Sequence, residues 1–198
     1  MPQRSADVRL RGFSGYNTRW ALSVLPWVFG GVPQPELVTV FFGANDASSP
    51  ELNLRQHVPL EEFEANLVAI VRQLRARWGE GGGPRVVLIA PPPVGHEQRL
   101  AFQIERYKEK ATGKLERTNE RAGMYAAAVA RAAHTCAVPL LDTWGTMQAE
   151  KPDGSWTEYL SDGLHLSPAG QRFVGEELVK LVGKHWPDEC VRATPLPP

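Results

Sequence analysis

Cysteine is scarce in this sequence of 198 residues, since Cys136 and Cys190 are the two that it contains. Two cysteines far apart in the chain do not form a disulfide framework, and no Cys/His group has the spacing of a zinc site. We therefore expect neither a disulfide scaffold nor a metal centre. No apolar run approaches the length of a membrane span, and the N-terminus has no signal-peptide core. We expect a cytoplasmic protein without membrane spans, unless a targeting segment precedes this sequence.

Net charge is also lacking. The 22 Lys and Arg residues balance the 22 Asp and Glu residues, so nothing indicates a nucleic acid or an anionic membrane as partner. Hydrophobic residues make up 42% of the chain, which is typical of a globular protein with a substantial core. We expect one domain over residues 1–186 and a Pro-rich tail over residues 187–198. Nothing in the sequence indicates an oligomeric state.

Short apolar runs alternate with helical patterns along the chain, which predicts a parallel sheet covered by helices. The predicted strands are residues 8–11, 37–42, 86–90 and 138–142. The predicted helices are residues 17–29, 60–78, 112–136 and 168–184. The fold class is then a three-layer α/β/α domain, in which the second and third strands are buried on both faces. Because ligands in such folds bind beyond the carboxyl ends of the strands, the loops at those ends are the candidate site.

The loop before the last predicted helix places Asp162 three residues ahead of His165. In a tight turn this spacing lets the carboxylate reach Nδ1 of the histidine. It would then fix the ring tautomer and stabilise the imidazolium formed when Nε2 takes a proton from a nucleophile. The alternative is a solvated turn in which Ser167 caps the helix and Pro168 occupies its first position. The four-residue pattern alone does not decide between the two.

Gly15 follows the first predicted strand and precedes a predicted helix, with Asn17 or Thr18 as the helix cap. A glycine at this place can present its backbone N–H to a developing oxyanion. Equally, the position can require glycine only because its φ angle is positive. Gly15 is therefore a candidate oxyanion donor.

The second predicted strand ends in Gly43-Ala44-Asn45-Asp46. Gly43 would let the backbone approach a substrate, and the side-chain amide of Asn45 can donate to an oxyanion. Asp46 can hold the loop by accepting backbone N–H bonds. An Asn-Asp turn without chemistry is the alternative, but the place at the end of the most hydrophobic strand favours function.

These segments resemble motifs of the SGNH (GDSL-type) hydrolases, in the same order. Gly15, Gly43-x-Asn45-Asp46 and Asp162-x-x-His165 are similar to the second, third and fifth blocks of that family. Residues 11–20, 41–47 and 159–167 further resemble the isoamyl acetate-hydrolysing esterase subfamily, and the similarity extends over about residues 11–182.

The resemblance implies an ester hydrolase that acts on short acyl esters, such as acetates of medium alcohols, without a metal or organic cofactor. It implies that His165 is the general base and later the general acid, and that Asp162 orients it. The Gly15 N–H and the Asn45 amide would be the oxyanion donors. Further expectations are pocket walls and a partly helical flap over residues 96–121; the candidate walls are Trp20, Phe42, Pro91, Pro92, Pro93 and Trp156.

The family's nucleophile is the serine of a Gly-Asp-Ser block, and no Gly-Asp-Ser occurs in this sequence. The resemblance therefore implies a flavodoxin-like sheet that lacks its first strand and first helix, and a site without its nucleophile. Ser14 is the nearest substitute, but its backbone would have to serve both a nucleophile and the adjacent Gly15 donor. Ser5, Ser48 and Ser49 are less suited. We expect a chain that folds poorly alone or one whose true N-terminus lies upstream.

Two functions remain open at this point. The first is a fragment or short isoform of an SGNH esterase, inactive or impaired by itself. The second is a non-catalytic relative that retains the pocket and binds an ester or a protein partner. An upstream coding segment with a Gly-Asp-Ser block would favour the first. A nucleotide-handling α/β protein is disfavoured, since no Gly-rich loop opens a helix.

Overall fold

A computed structural model describes residues 7–78 and 83–187 of the chain. Ser5, Cys190 and the predicted tail from residue 188 onward lie outside the described residues. The helices are α1 Thr18–Val28, α2 Leu60–Ala76, α3 His96–Tyr107, α4 Asn119–Cys136, α5 Thr143–Glu150 and α6 Pro168–His185, with short 3-10 helices at Lys108–Lys110 and Ser155–Tyr159. The strands are β1 Leu37–Phe41, β2 Arg85–Ile89 and β3 Leu140–Leu141.

The three strands form a parallel sheet in the order β1-β2-β3. Val38 lies opposite Val86, and Leu88 lies opposite Leu140. This order corresponds to the last three strands of the predicted flavodoxin-like arrangement, so the parallel α/β fold class is confirmed.

Helices cover both faces of the sheet and make the molecule three-layered. On one face α1, α2 and α4 pack against β1 and β2, and this core includes Val40, Phe63, Leu67, Leu88 and Val129. On the other face α5 and α6 bury Val87, Ile89, Leu141, Met147 and Val174. Side chains of β2 alternate between the two cores, as a central strand requires.

Local sequence explains where most helices begin. Asn17 caps α1 by accepting the Trp20 N–H at 2.9 Å, and Ser167 caps α6 with Pro168 at the first helical position. Helix α4 begins later than predicted, at Asn119, because Gly113 has a φ of +67° and breaks the helical path. Thr118 then supplies the cap.

The predicted strand at residues 8–11 is wrong. The segment forms no ladder with a described strand, and Val8 and Leu10 are 77% and 88% exposed. A strand persists only where a neighbour takes its N–H and C=O groups, and β1 does not pair with this segment. Within the described chain β1 is an edge strand, with Thr39 and Phe41 exposed, so its predicted burial on both faces is also wrong. That expectation is confirmed for β2.

Candidate active site

Asp162 and His165 lie in the loop between the Ser155–Tyr159 helix and α6. The Oδ2 atom of Asp162 lies 2.8 Å from Nδ1 of His165. A carboxylate can only accept, so Nδ1 carries the proton and Nε2 is the free basic nitrogen. The His165 side chain is 71% exposed, whereas that of Asp162 is 11% exposed. The pair therefore has the geometry of an oriented base whose reactive nitrogen is open to solvent.

The carboxyl group of Asp162 also binds its own loop. Its Oδ1 accepts the backbone N–H groups of Leu164 at 3.0 Å and His165 at 2.8 Å. Burial alone would raise the pKa of Asp162, but the hydrogen bonds from the backbone and side chain of His165 and from Leu164 outweigh it and hold the pKa below its usual value. Asp162 is therefore ionised at neutral pH and can stabilise an imidazolium.

Gly163 docks this loop on the start of α3. Its φ is +78°, and a Cβ there would lie 2.4 Å from the backbone nitrogen of Arg99. Its carbonyl accepts the Gly95 N–H at 2.9 Å. On the other side Ser167 caps α6 through Gly170. The capped turn that was the structural alternative for this segment is thus present together with the Asp-His pair, and neither excludes the other.

Gly15 has a φ of +78°, a conformation that favours glycine. Its carbonyl accepts from Gln56 Nε2 at 2.9 Å, while its N–H donates to no residue within ranges 7–78 and 83–187. Asn45 Nδ2 donates to the Tyr16 carbonyl at 2.8 Å, and a second amide hydrogen remains. Gly15, Asn45 and His165 line one cleft of about 640 Å³, so both candidate donors and the candidate base share a single space.

Gly43 supports the Asn45 loop from below rather than lining the cleft. Its φ is +120°, and a Cβ there would lie 3.0 Å from Pro91 Cγ and 3.3 Å from Phe63 Cζ. Both the angle and the space therefore require glycine. The loop turns tightly at this residue, with the Ala47 N–H bound to the Gly43 carbonyl at 2.9 Å.

Asp46 is fully buried and joins the Asn45 loop to α1. Its Oδ1 accepts the backbone N–H of Thr18 at 2.8 Å and the Thr18 hydroxyl at 2.6 Å. Burial raises the pKa of this carboxyl against the effect of both Thr18 bonds. Thr18 is the first residue of α1, so Asp46 binds the Asn45 loop to the helix that follows Gly15.

The walls of the cleft differ from those expected. Helix α3 contributes Leu100, Phe102, Ile104 and Tyr107, and none of the predicted wall residues lines the cleft. Pro91, Pro92 and Pro93 are buried, with Pro91 packed against Gly43. Trp156 lines a separate, smaller pocket of about 290 Å³. The helical spacing of Leu100, Ile104 and Tyr107 was the sequence signal for this wall. The charged residues between them make that apolar pattern weak.

Three buried charged residues of this region were missed from the sequence. Arg99, Glu116 and Arg117 form ion pairs with one another and with Asp162. Their stretch of the sequence is rich in charge, which is typical of a solvated surface, and no local pattern indicates their burial.

None of the serines that the structure describes is hydrogen-bonded to Nε2 of His165. Ser14 lines the cleft and is exposed. The hydroxyls of Ser48 and Ser49 bind Asn53 and Glu51. Over the same described residues no cluster of metal-ligating side chains was found, and no helix is long and apolar enough to cross a membrane.

Over residues 2–173 the chain matches the GDSL-like lipase/acylhydrolase family. The chain belongs to this family. It is 48% identical over 184 residues to a GDSL esterase/lipase of Arabidopsis thaliana, covering 90% of this chain and 73% of the relative. An isoamyl acetate-hydrolyzing esterase 1 homolog of Bos taurus is 45% identical, with 91% and 70% covered. The isoamyl acetate-hydrolyzing esterase of Saccharomyces cerevisiae is 34% identical, with 93% and 72% covered.

Solved structures support the same fold for this GDSL-like family member. A lipase/acylhydrolase from Enterococcus faecalis superposes with a TM-score of 0.64 at 23% identity, covering 86% of this chain and 72% of the other. An acetylxylan esterase from Geobacillus stearothermophilus gives 0.61 at 19% identity, covering 86% and 69%. The resemblance seen in the sequence is therefore confirmed at the level of family and fold, and the family is one of esterases and acylhydrolases.

Proposed function

We propose that the cleft is the site of a carboxylic ester hydrolase for short-chain esters, with acetates of medium alcohols such as isoamyl acetate as the substrate class. The observation that carries the proposal is that His165, held by Asp162, lines one cleft together with Asn45 and Gly15, whose N–H donates to none of the described residues. The isoamyl acetate-hydrolyzing relatives of Bos taurus and Saccharomyces cerevisiae support the same substrate class.

In the proposed reaction Nε2 of His165 takes the proton of the attacking hydroxyl and later returns a proton to the leaving alkoxide. Asp162 holds the ring and stabilises the imidazolium between these two steps. The Gly15 N–H and the second Asn45 amide hydrogen donate hydrogen bonds to the carbonyl oxygen and stabilise the negative charge that develops on it. Bond making and breaking in such a serine acyl-enzyme cycle needs no metal or organic cofactor.

The proposal includes a nucleophile that a Gly-Asp-Ser block would supply, and these 198 residues contain no such block. We therefore expect the chain by itself to be inactive or strongly impaired. Fluorophosphonate labelling with peptide mapping tests this expectation. No stoichiometric adduct is expected, and an adduct on one serine, such as Ser14, would contradict it.

Ester binding tests the site without requiring turnover. Titration of the ¹⁵N-labelled chain with isoamyl acetate should shift the backbone N–H signal of Gly15 and the side-chain NH₂ signals of Asn45. Isoamyl alcohol, which lacks the carbonyl group, is the matched control and should leave these signals in place. If the ester and the alcohol act alike, the two donors do not recognise a carbonyl oxygen and the proposal fails.

A second candidate is a non-catalytic relative that binds an ester or a protein partner. The absence of a serine bonded to His165 among the described residues favours it. Hydrolysis distinguishes the two, since only the first predicts that a supplied Gly-Asp-Ser segment restores turnover.

A further inference from the structure

A series of buried and partly buried hydrogen bonds connects the two halves of the site. Arg99 donates through Nη1 to Asp162 Oδ2 at 3.1 Å and through Nη2 to Glu116 Oε1 at 2.5 Å. Arg117 donates to the same Glu116 oxygen through Nη1 at 2.9 Å. Its Nη2 donates to Asn45 Oδ1 at 3.0 Å. Asp162 and the Asn45 amide are thus connected through three charged side chains, those of Arg99, Glu116 and Arg117.

Burial makes these charges depend on one another. The side chains of Arg99, Glu116 and Arg117 are 6%, 11% and 5% exposed. Buried charges are tolerated only when they are paired and hydrogen-bonded, and the loss of one partner leaves another charge uncompensated. With Asp162 included, two positive charges face two negative charges. The charges therefore balance within the set, and each member depends on its neighbours for compensation.

Arg117 holds both oxyanion loops. Besides Asn45, it donates through Nε to the Ala44 carbonyl at 2.8 Å and through Nη2 to Gln56 Oε1 at 2.6 Å. Gln56 in turn donates to the Gly15 carbonyl. Because a guanidinium can only donate, Asn45 must turn its oxygen toward Arg117, which leaves its nitrogen for Tyr16 and the cleft.

Glu116 is the centre of the chain because its Oε1 accepts from both guanidinium groups. Its Oε2 accepts from Gln103 of α3, and its backbone carbonyl accepts the Ser49 N–H at 2.7 Å. A displacement of this carboxylate therefore shifts Arg99 and Arg117 together.

We propose that Arg99, Glu116 and Arg117, here called the ion-pair chain, are positioning residues that couple the orientation of the Asn45 amide to that of the Asp162–His165 pair. The proposal rests on the esterase function proposed above, since it assigns to the ion-pair chain the task of keeping the base and the oxyanion donor at a fixed relative position. All three residues also line the cleft, and the role assigned to them here acts through their hydrogen bonds to Asp162 and Asn45.

Nuclear magnetic resonance of the full ¹⁵N-labelled chain tests the coupling without a substrate. The Asn45 NH₂ signals report one end, and the backbone N–H signals of Leu164 and His165, both bound to Asp162, report the other. Glu116→Gln preserves size and removes the central charge, so signals at both ends should shift. Glu105→Gln, at an exposed position of α3, is the control and should shift neither set.

Conservative changes at the two ends provide the decisive comparison. Arg99→Lys keeps the charge but loses the two guanidinium nitrogens that bind Asp162 and Glu116. It should shift the Asn45 NH₂ signals although Arg99 makes no hydrogen bond to Asn45. Arg117→Lys should likewise shift the Leu164 and His165 signals. Arg131→Lys, at the exposed surface of α4, controls for the substitution itself. If each variant shifts only the signals of its own neighbours, the coupling does not exist.

These readouts separate the proposal from a purely structural role and from the proposed function. A structural role would lower the melting temperature and leave the Asn45 signals of a folded Arg99→Lys variant unchanged, which would overturn the proposal. Failure of isoamyl acetate to shift the Gly15 and Asn45 signals would reject the ester site and leave the coupling measurements intact. Near-ultraviolet circular dichroism establishes that each variant is folded.

Discussion

Asp162 holds His165 at two points. Its Oδ1 accepts the backbone N–H of His165 and its Oδ2 accepts from the ring Nδ1, both at 2.8 Å. The backbone bond fixes the distance between the two residues, and the ring bond then selects one rotation and one tautomer of a side chain that is otherwise exposed. Three residues of separation suffice for both bonds. One carboxylate thereby fixes the orientation of a histidine whose side chain is exposed.

Asp162→Asn should destabilise the chain at neutral pH by about 1–3 kcal/mol, because an amide cannot accept all the hydrogen bonds of the carboxylate. The folded state holds the pKa of Asp162 below its unfolded value. The carboxylate therefore contributes stability above an unfolded pKa of about 3.9, and this contribution is lost as pH falls through the lower folded pKa. Urea unfolding at neutral and acid pH should show a shallower acid loss in the variant.

The control for this prediction is Asp7→Asn, at a side chain that is 74% exposed. Its acid dependence should match that of the parent chain. Equal curves for Asp162→Asn and the parent would mean that the hydrogen bonds of Asp162 do not stabilise the folded state.

Asp46 should affect the pH dependence of stability in the opposite direction, and Asp46→Asn tests this. Burial raises the folded pKa of Asp46, so the folded state binds the proton more tightly than the unfolded state. Stability then falls as pH rises from about 3.9, the unfolded value, through the higher folded pKa. The amide removes the buried charge and keeps an oxygen for Thr18, so the variant should gain stability relative to the parent over that window. Unfolding curves across the window measure it, and a relative loss would contradict the assignment.

The parts of the fold that local pattern determines were predictable. The stripe Phe63, Leu67, Ile70, Val71 and Leu74 gave α2, and all five side chains are buried. The Ser167-Pro168 pair gave the start of α6. Residues 8–11 have the composition of a strand, but a strand also needs a neighbour, which composition does not report.

In the candidate site, too, local contacts were predictable from the sequence and long-range contacts were not. Asp162 and His165 are three residues apart, so spacing alone brought them together. The ion-pair chain joins residues 63 and 72 positions apart, namely Arg99 to Asp162 and Arg117 to Asn45. A single sequence does not report contacts over such distances, and charged residues are ordinarily exposed. The chemical roles of Gly15, Asn45 and His165 stay predictions.

Gly15→Ala should destabilise the chain by about 1–3 kcal/mol, because alanine is strained at a φ of +78° and its Cβ would lie 3.3 Å from Gln56 Nε2. Gly175→Ala is the matched control, since Gly175 lies within α6 and a Cβ there meets nothing within 4 Å. That change should stabilise by about 0.5–1 kcal/mol. Urea midpoints measure both, and a neutral Gly15→Ala would show that glycine is not required by the backbone.

In a version of the chain joined to a segment that carries a Gly-Asp-Ser block, loss of His165 and loss of Asn45 should lower kcat to different extents. His165→Ala should lower kcat for isoamyl acetate by about 10⁴-fold or more, because no other group takes the nucleophile's proton. Asn45→Ala should lower kcat by about 10²–10³-fold with little change in KM, since its amide stabilises charge that exists only in the transition state. His134→Ala, at an exposed position of α4, should leave both constants unchanged. A parental rate in either site variant would remove that residue from the proposed mechanism, because each step assigned to it would then have proceeded without it.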